Sequence, residues 1–297
     1  MANQIISAAR YNFLQGQIES ILGRGSGDKG YNQSVQSSSV PTSETVFASH
    51  MNNLYSDFSK VYAHQTGFLP PSIEQVDNTD DITEALHAAY EALVNTVTTN
   101  RFEVASTQYD EENAGITSTR TTVWGGSATP QTVTHEFTVS FTDVHARRGF
   151  FNAGGRIIFD FELTSSASGD DVNKTQDWVD MLDALTSPYF DYTETNTNSG
   201  PGTGSLIGNF NLTNSYQVVF RKTGSGVYID NEVVIEAKQN SDSQIQFLIS
   251  FNDDANGAGG ADERVVGTLE SRISQRRATG VYVESPSPTY RNVSTLG

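Results

Sequence analysis

Five histidines, His50, His64, His87, His135 and His145, are the side chains best suited to move protons or bind a metal near neutral pH. No two of them have the His-Glu-x-x-His spacing that puts two imidazoles on one helix face around zinc. His50 and His87 fall on expected helices and His135 on the bulky face of an expected strand, so each reads as a structural histidine. There is no cysteine, which removes thiolate nucleophiles, thiolate zinc sites and disulfides. No serine sits in a Gly-x-Ser-x-Gly elbow, and Gly224-Ser225-Gly226 reads as a turn between strands. Gly23-Arg24-Gly25-Ser26-Gly27 follows a helix, whereas a phosphate-binding loop follows a strand. Carboxylates are plentiful, but spacing alone does not bring any two together for glycosidic chemistry. No catalytic, cofactor-binding or metal-ligating residue is assigned from these patterns, and no cofactor is expected.

Four weaker features remain. Asn252, Asp254, Asn256, Gly257 and Glu263 match the spacing of a twelve-residue calcium loop, with Asn in place of the first Asp. A strand precedes that loop and no clear helix enters it, so a solvated hairpin loop is the expectation. Trp178, on an expected helix, is a core anchor sooner than a sugar-stacking platform, and under a glycan-binding reading Trp178, Trp124 or Tyr-rich loops would contact the sugar. Arg147 and Arg148 read either as exposed turn charges or as contacts for an acidic neighbour. Arg276 and Arg277 read as solvated charges, with the alternative that they clip the chain's tail onto a neighbour.

The elements that must position these residues follow from periodicity. Apolar residues from Ile5 to Leu22 recur at helical spacing, ending at Gly23. A polar stretch from Tyr31 to Val40 reads as an extended loop. A second helix is expected from near Ser43, stopped by Gly67 and Pro70-Pro71, and a third from a cap at Asp80 or Asp81. Beyond Asn100 the period becomes two: Val133, His135, Phe137, Val139 and Phe141 form one strand face, and Ile157, Phe159, Phe161 and Leu163 another. Between them, Gly154-Gly155 supplies the freedom of a tight turn or bulge. A short helix near 175–186 carries Trp178, Met181 and Leu182, and three more strands are expected at 216–222, 231–238 and 245–251. Short connections imply antiparallel pairing. The expected fold is α+β in three parts: a helical N-terminal docking region at 1–100, a sandwich-like antiparallel β domain at 101–267, and an extended C-terminal tail at 268–297.

Composition limits the function. The chain of 297 residues carries 18 Lys and Arg against 35 Asp and Glu, a formal net charge of −17. That disfavours direct nucleic-acid binding, which calls for a basic face. No apolar run reaches the length of a membrane-spanning helix, and the start lacks the pattern of a signal peptide. Hydrophobic residues are 36% of the chain, but 10% aromatics can fill a core.

The stretch from Arg147 through Phe150-Phe151-Asn152-Ala153-Gly154-Gly155-Arg156-Ile157, followed about twenty residues later by Trp178, resembles a turn pattern of tailed-phage structural proteins. The order Tyr11-Asn12, Leu22-Gly23-Arg24-Gly25-Ser26, Gly30-Tyr31-Asn32-Gln33, Asn53-Leu54 and His64-Gln65-Thr66-Gly67 is similar to virion proteins of cyanophages and their relatives. The resemblance covers much of 1–185. It implies a non-enzymatic virion component of the tail, neck, baseplate or fibre adaptor, assembled in the host cytoplasm. Its partners would be copies of itself and neighbouring virion proteins. A receptor- or glycan-binding module and a capsid decoration protein are the alternatives.

Overall fold

The computed structural model describes residues 6–25, 27–77, 80, 82–128, 130–255 and 262–296, apart from the side chains of Asn113, Ala114 and 294–296. In chain order the elements are α1 (Ala8–Leu22), α2 (Ala48–Thr66), α3 (Glu84–Thr99), β1 (Tyr109–Arg120), β2 (Thr132–Ser140), α4 (Val144–Asn152), β3 (Arg156–Ser165) and α5 (Val172–Asp183). There follow the short strands β4 (Tyr189–Phe190), β5 (Thr195–Asn196) and β6 (Thr203–Gly204), then β7 (Gln217–Thr223), β8 (Glu232–Ser241), β9 (Gln244–Asn252), β10 (Gly267–Ala278) and β11 (Thr289–Leu296). The fold is α+β with two antiparallel sheets. Two compact units are present, each discontinuous in sequence. Unit 1 comprises Met1–Asp110, Val144–Gly155 and Arg277–Pro286, and unit 2 comprises Glu111–Asp143, Arg156–Arg276 and Ser287–Gly297.

Unit 1 is helical. Tyr11, Leu14 and Ile18 of α1, Leu54, Phe58 and Val61 of α2, and Tyr90, Leu93 and Val97 of α3 meet in one apolar core. Each set repeats at three- and four-residue steps, which is why these segments coil and bury one stripe. Helix α1 starts after Ser7, whose hydroxyl accepts the Arg10 N–H. Helix α3 is capped by Thr83, whose hydroxyl accepts the Leu86 N–H, so the expected cap at Asp80 is displaced by three residues. The other expected cap, Asp81, lies outside the described residues. Helix α2 begins at Ala48, later than the expected Ser43, and stops where expected: Gly67 takes φ +82°, a left-handed value that suits glycine.

The long loops of unit 1 are held by side chains. Asp57, fully buried on α2, accepts hydrogen bonds from the Gln36 N–H (3.0 Å), the Ser37 N–H (2.8 Å) and the Ser37 hydroxyl (2.7 Å). The Asn12 amide closes a two-way pair with the Val40 backbone, and Asn52 does the same with Val76. Backbone that has left a helix must still find partners once buried, and these three side chains supply them.

Unit 2 contains both sheets, in the orders β1-β10-β3-β4-β5 and β11-β2-β9-β8-β7-β6. The alternation read in β2 and β9 is borne out: Val133, His135, Phe137 and Val139 are buried, as are Ile245, Phe247, Ile249 and Phe251. Phe159 on β3 and Phe190 on β4 meet Phe247 edge-on at centroid distances of 5.2 and 5.3 Å, and Phe161 meets Phe251 at 6.0 Å. These rings join the two sheets into a sandwich.

Two expectations are corrected. The segment 268–297, read as an extended tail, forms β10 in the middle of one sheet and β11 at the edge of the other. The connection from β2 to β3, read as a tight turn, is helix α4, and its last turn is closed by the Gly155 N–H bonding to the Phe150 carbonyl at 2.9 Å. Gly154 has φ +82°, but Gly155 does not lie in the left-handed region. Gly155 is required for a different reason: a Cβ there would come within 2.4 Å of the Phe150 carbonyl oxygen and 2.6 Å of its ring.

Two stability measurements check this account. Asp57→Ala strands two buried donors of Ser37 and removes the acceptor of the part-buried Gln36 N–H, and should destabilise the protein by about 2 kcal/mol or more in urea unfolding, with Ser37→Ala costing about 1 kcal/mol. Gly155→Val should cost more than about 1 kcal/mol through the clash with Phe150. A melting curve for either Asp57→Ala or Gly155→Val that overlays the parent would contradict the packing described.

Candidate functional site

The most concentrated buried chemistry lies in unit 2, where α5 meets the segment after β9. Helix α5 buries Lys174, Thr175, Trp178, Met181 and Leu182, a single stripe at helical spacing that includes a lysine. Lys174 Nζ donates to Asp253 Oδ2 and to the Ala255 carbonyl, each at 2.9 Å. The side chains of Lys174 and Asp253 are 1% and 0% exposed. Asp253 also accepts the Gly126 N–H at 2.8 Å and the Trp178 Nε1–H at 3.3 Å. Gly125 and Gly126 have φ +76° and +56°, and a Cβ on Gly125 would fall 2.2 Å from Asp253 Oδ2. The backbone can wrap this carboxylate only because both residues are glycine.

Aromatic rings wall the pair. Trp124 and Trp178 meet edge-on at 4.8 Å, and both approach Phe251. Beside them, buried Tyr228 donates its hydroxyl to Glu263 at 2.6 Å. Burial first, and then the bond to Glu263, push the Tyr228 hydroxyl well above the usual phenol range. Asn231, fully buried, accepts the Ala255 N–H. Arg264 grips Asp171 through its guanidinium and its backbone N–H. Burial pushes Asp171 up, but those bonds outweigh it and hold the carboxyl below its ordinary value.

A second feature is a polar cleft of about 250 Å³ on the sheet that contains β3 and β10, lined by Glu111, Glu112, Arg156, Asp160 and Tyr189 among others. The Arg156 guanidinium lies 3.8 Å above the Tyr189 ring, and Ser187 donates to Asp160 at 2.6 Å. Among the described residues no group of three His, Asp or Glu side chains is placed to hold a metal ion.

The residues singled out by sequence fall as follows. Trp178 is a core anchor, as expected, and Trp124 is equally buried, so neither ring offers a face to a sugar. Of the calcium-loop residues, Asn256 and Gly257 lie outside the described residues. Glu263 is turned to Tyr228, and Asn252 donates to Glu232. Arg147 is buried on α4, and Arg148 donates to the Arg24 carbonyl, so they are not exposed turn charges. Arg276 is buried within β10, and Arg277 donates to the Ser285 carbonyl at 2.7 Å; neither is a solvated tail charge. Ser225 donates to Asp177 and has no histidine partner. His50 accepts the Phe47 N–H at the start of α2, and His87 meets Arg10 at 2.7 Å. Sequence reading missed Lys174 and Asp253. The available signal was a lysine four residues before Trp178, on the same stripe as the tryptophan.

Comparison with protein-family models, with curated proteins and with solved structures gives no match for this chain. Among the described residues, no helix is long and apolar enough to cross a membrane.

Burial lowers the pKa of three histidines, His64, His87 and His135, and His64 and His135, shifted furthest, give the protein a pH dependence. His64 on α2 packs against Tyr31 at 5.1 Å, and burial lowers its pKa to about 4, only partly offset by the Ala153 backbone. His135 on β2 shares a 2.7 Å hydrogen bond with Ser271 through Nδ1, and its Nε2 has no partner among the described residues. Burial, with a smaller contribution from Arg120, lowers it to about 4 as well. An unfolded histidine titrates near 6.5, so below that pH the unfolded chain takes up protons that the folded chain refuses. Stability should therefore fall as pH drops from about 6.5 to about 4, by up to about 3 kcal/mol for each histidine. Urea unfolding between pH 7 and 5 checks this before most carboxylates titrate. His135→Gln should reduce the slope, and an unchanged slope would remove His135 as its source.

Proposed function

We propose that this protein is a non-enzymatic structural subunit of a tailed-phage virion, placed in the tail, neck, baseplate or fibre adaptor and acting through protein–protein contacts. The observation that carries the reading is where the resemblance-bearing residues meet in unit 1. The Tyr31 hydroxyl donates to the Arg101 carbonyl and accepts from Gln65 Nε2 at 2.9 Å, while the Tyr31 ring packs on His64. Asn152 donates to the Asp28 carbonyl, and a Cβ on Gly149 would lie 2.8 Å from Asn32 Cβ. Segments far apart in sequence thus form one packed framework in this chain, built from the residues on which the resemblance to virion proteins rests. Unit 1 also leaves Phe68 and Leu69 exposed at 75% and 54%, and unit 2 leaves Leu206 and Phe210 at 80% and 62%, apolar area that suits contact with other chains. The net charge of −17 agrees with a component that does not hold nucleic acid.

A second reading, a glycan-binding module, is favoured only by the polar cleft beside Tyr189. A glycan array separates the two: specific retention lost in Tyr189→Ala would favour it.

The virion reading predicts that the chain is present in purified phage particles by mass spectrometry, and that the isolated protein forms a closed symmetric oligomer by light scattering. A strict monomer that is absent from particles would refute it.

A further inference from the structure

We propose that Lys174 and Asp253 are joined by an intramolecular amide bond that forms spontaneously after folding. The pair lies in a water-excluded pocket of unit 2, with Nζ 2.9 Å from Oδ2 and the carboxyl carbon one C–O bond beyond. Reacting groups held this close gain effective concentrations on the order of 10⁵ M or more.

The reaction needs no external reagent. One proton passes from the ammonium to the carboxylate, giving amine and acid. The amine lone pair attacks the carboxyl carbon, forming the N–C bond and an oxyanion. A second amine proton moves to the hydroxyl, the C–OH bond breaks, and water leaves as the carbonyl re-forms. The sum is –NH₃⁺ plus –COO⁻ giving –NH–CO– and one water.

The surroundings suit both the passage and the product. The Trp178 Nε1–H already points at Oδ1, which carries the negative charge of the tetrahedral intermediate when the proton goes to Oδ2, and the Gly126 N–H holds Oδ2 in place beside Nζ. In the product, the one remaining amide N–H can keep the Ala255 carbonyl that Nζ now contacts, and the single oxygen can accept from both Gly126 and Trp178. No buried donor is stranded. Condensation also abolishes a buried ion pair, whose desolvation cost its Coulombic attraction seldom exceeds by much. Trp124, Trp178 and Phe251 keep water from reversing the step.

The test is the intact mass of the purified full-length chain under denaturing conditions, followed by peptide mapping. The expected mass is lighter than the sequence by one water. Trypsin should fail to cut after Lys174 and release a branched peptide joining Lys174 to Asp253. Lys174→Arg and Asp253→Ala should each show the full sequence mass, and Asp253→Asn should lose ammonia in place of water. Because the wild-type chain is itself the primary sample, a variant that fails to fold does not blunt the result. Full mass after prolonged incubation of the folded protein, or a loss of water mapped to any other residues, overturns the proposal.

Discussion

Irregular backbone buried in an acidic, polar chain has to be given acceptors, and the structure rests on a few carboxylates that supply them. In unit 1 it is Asp57, fully buried, that holds Gln36 and Ser37. In unit 2, Asp253 holds Gly126 and Asp171 holds Arg264. An unpaired N–H in a dry interior costs about 1–3 kcal/mol, as much as a typical side-chain truncation removes. With hydrophobic residues at 36% of the chain, few such losses are tolerable. The long loops are therefore parts of the core, fixed by hydrogen bonds where apolar contacts are too few.

The same constraint shapes the sandwich. Strand β10 presents Leu269, Ser271, Ile273 and Gln275 at alternate buried positions, so half of that set is polar. Each polar member has a partner. Ser271 meets His135 across the sheets, and Gln275 accepts from the Tyr290 hydroxyl at 2.5 Å while its amide donates to Ser287 and Glu112. The phenylalanine contacts bring the sheets together without a direction of their own, whereas these polar pairs fix which residues face one another. A strand whose inward face is half polar can therefore occupy the interior of its sheet, between β1 and β3.

That arrangement explains what could be read from the sequence. Strands β2, β3 and β9 were legible because each alternates apolar and polar residues, and the three N-terminal helices because their stripes are apolar. Strand β1, Tyr109–Arg120, and β10 gave no such signal: one is nearly all polar and the other buries serine and glutamine. Helix α4 was hidden by Gly149 within it and by the Gly154-Gly155 pair just after it. Gly149 is tolerated mid-helix because its missing side chain admits the Tyr31 carbonyl, a contact no local pattern reveals. Trp178 announced a core position, but Lys174, on the same stripe, acquires its meaning only from Asp253, 79 residues away.

A run such as Phe150-Phe151-Asn152-Ala153-Gly154-Gly155 invites reading as a ligand loop, since aromatic rings, an amide and mobile glycines are what such loops use. Its actual surroundings argue otherwise. Both rings are buried and meet edge-on at 5.0 Å, and the Asn152 amide is taken by the Asp28 and Arg148 carbonyls. Val104 occupies the space a Gly154 side chain would need. The run is packed into the interior of unit 1, and only the buried Asn152 Oδ1 has no hydrogen-bond partner there among the described residues. The distinctive residues of unit 1 serve its interior, and a partner would meet other side chains, such as Phe68 and Leu69, whose identity is not fixed by packing within the chain. Those exposed positions are not constrained by packing within the chain, whereas the buried joint is constrained by geometry, so substitutions should be tolerated at Phe68 and Leu69 more readily than at Tyr31, Gly149 or Asn152.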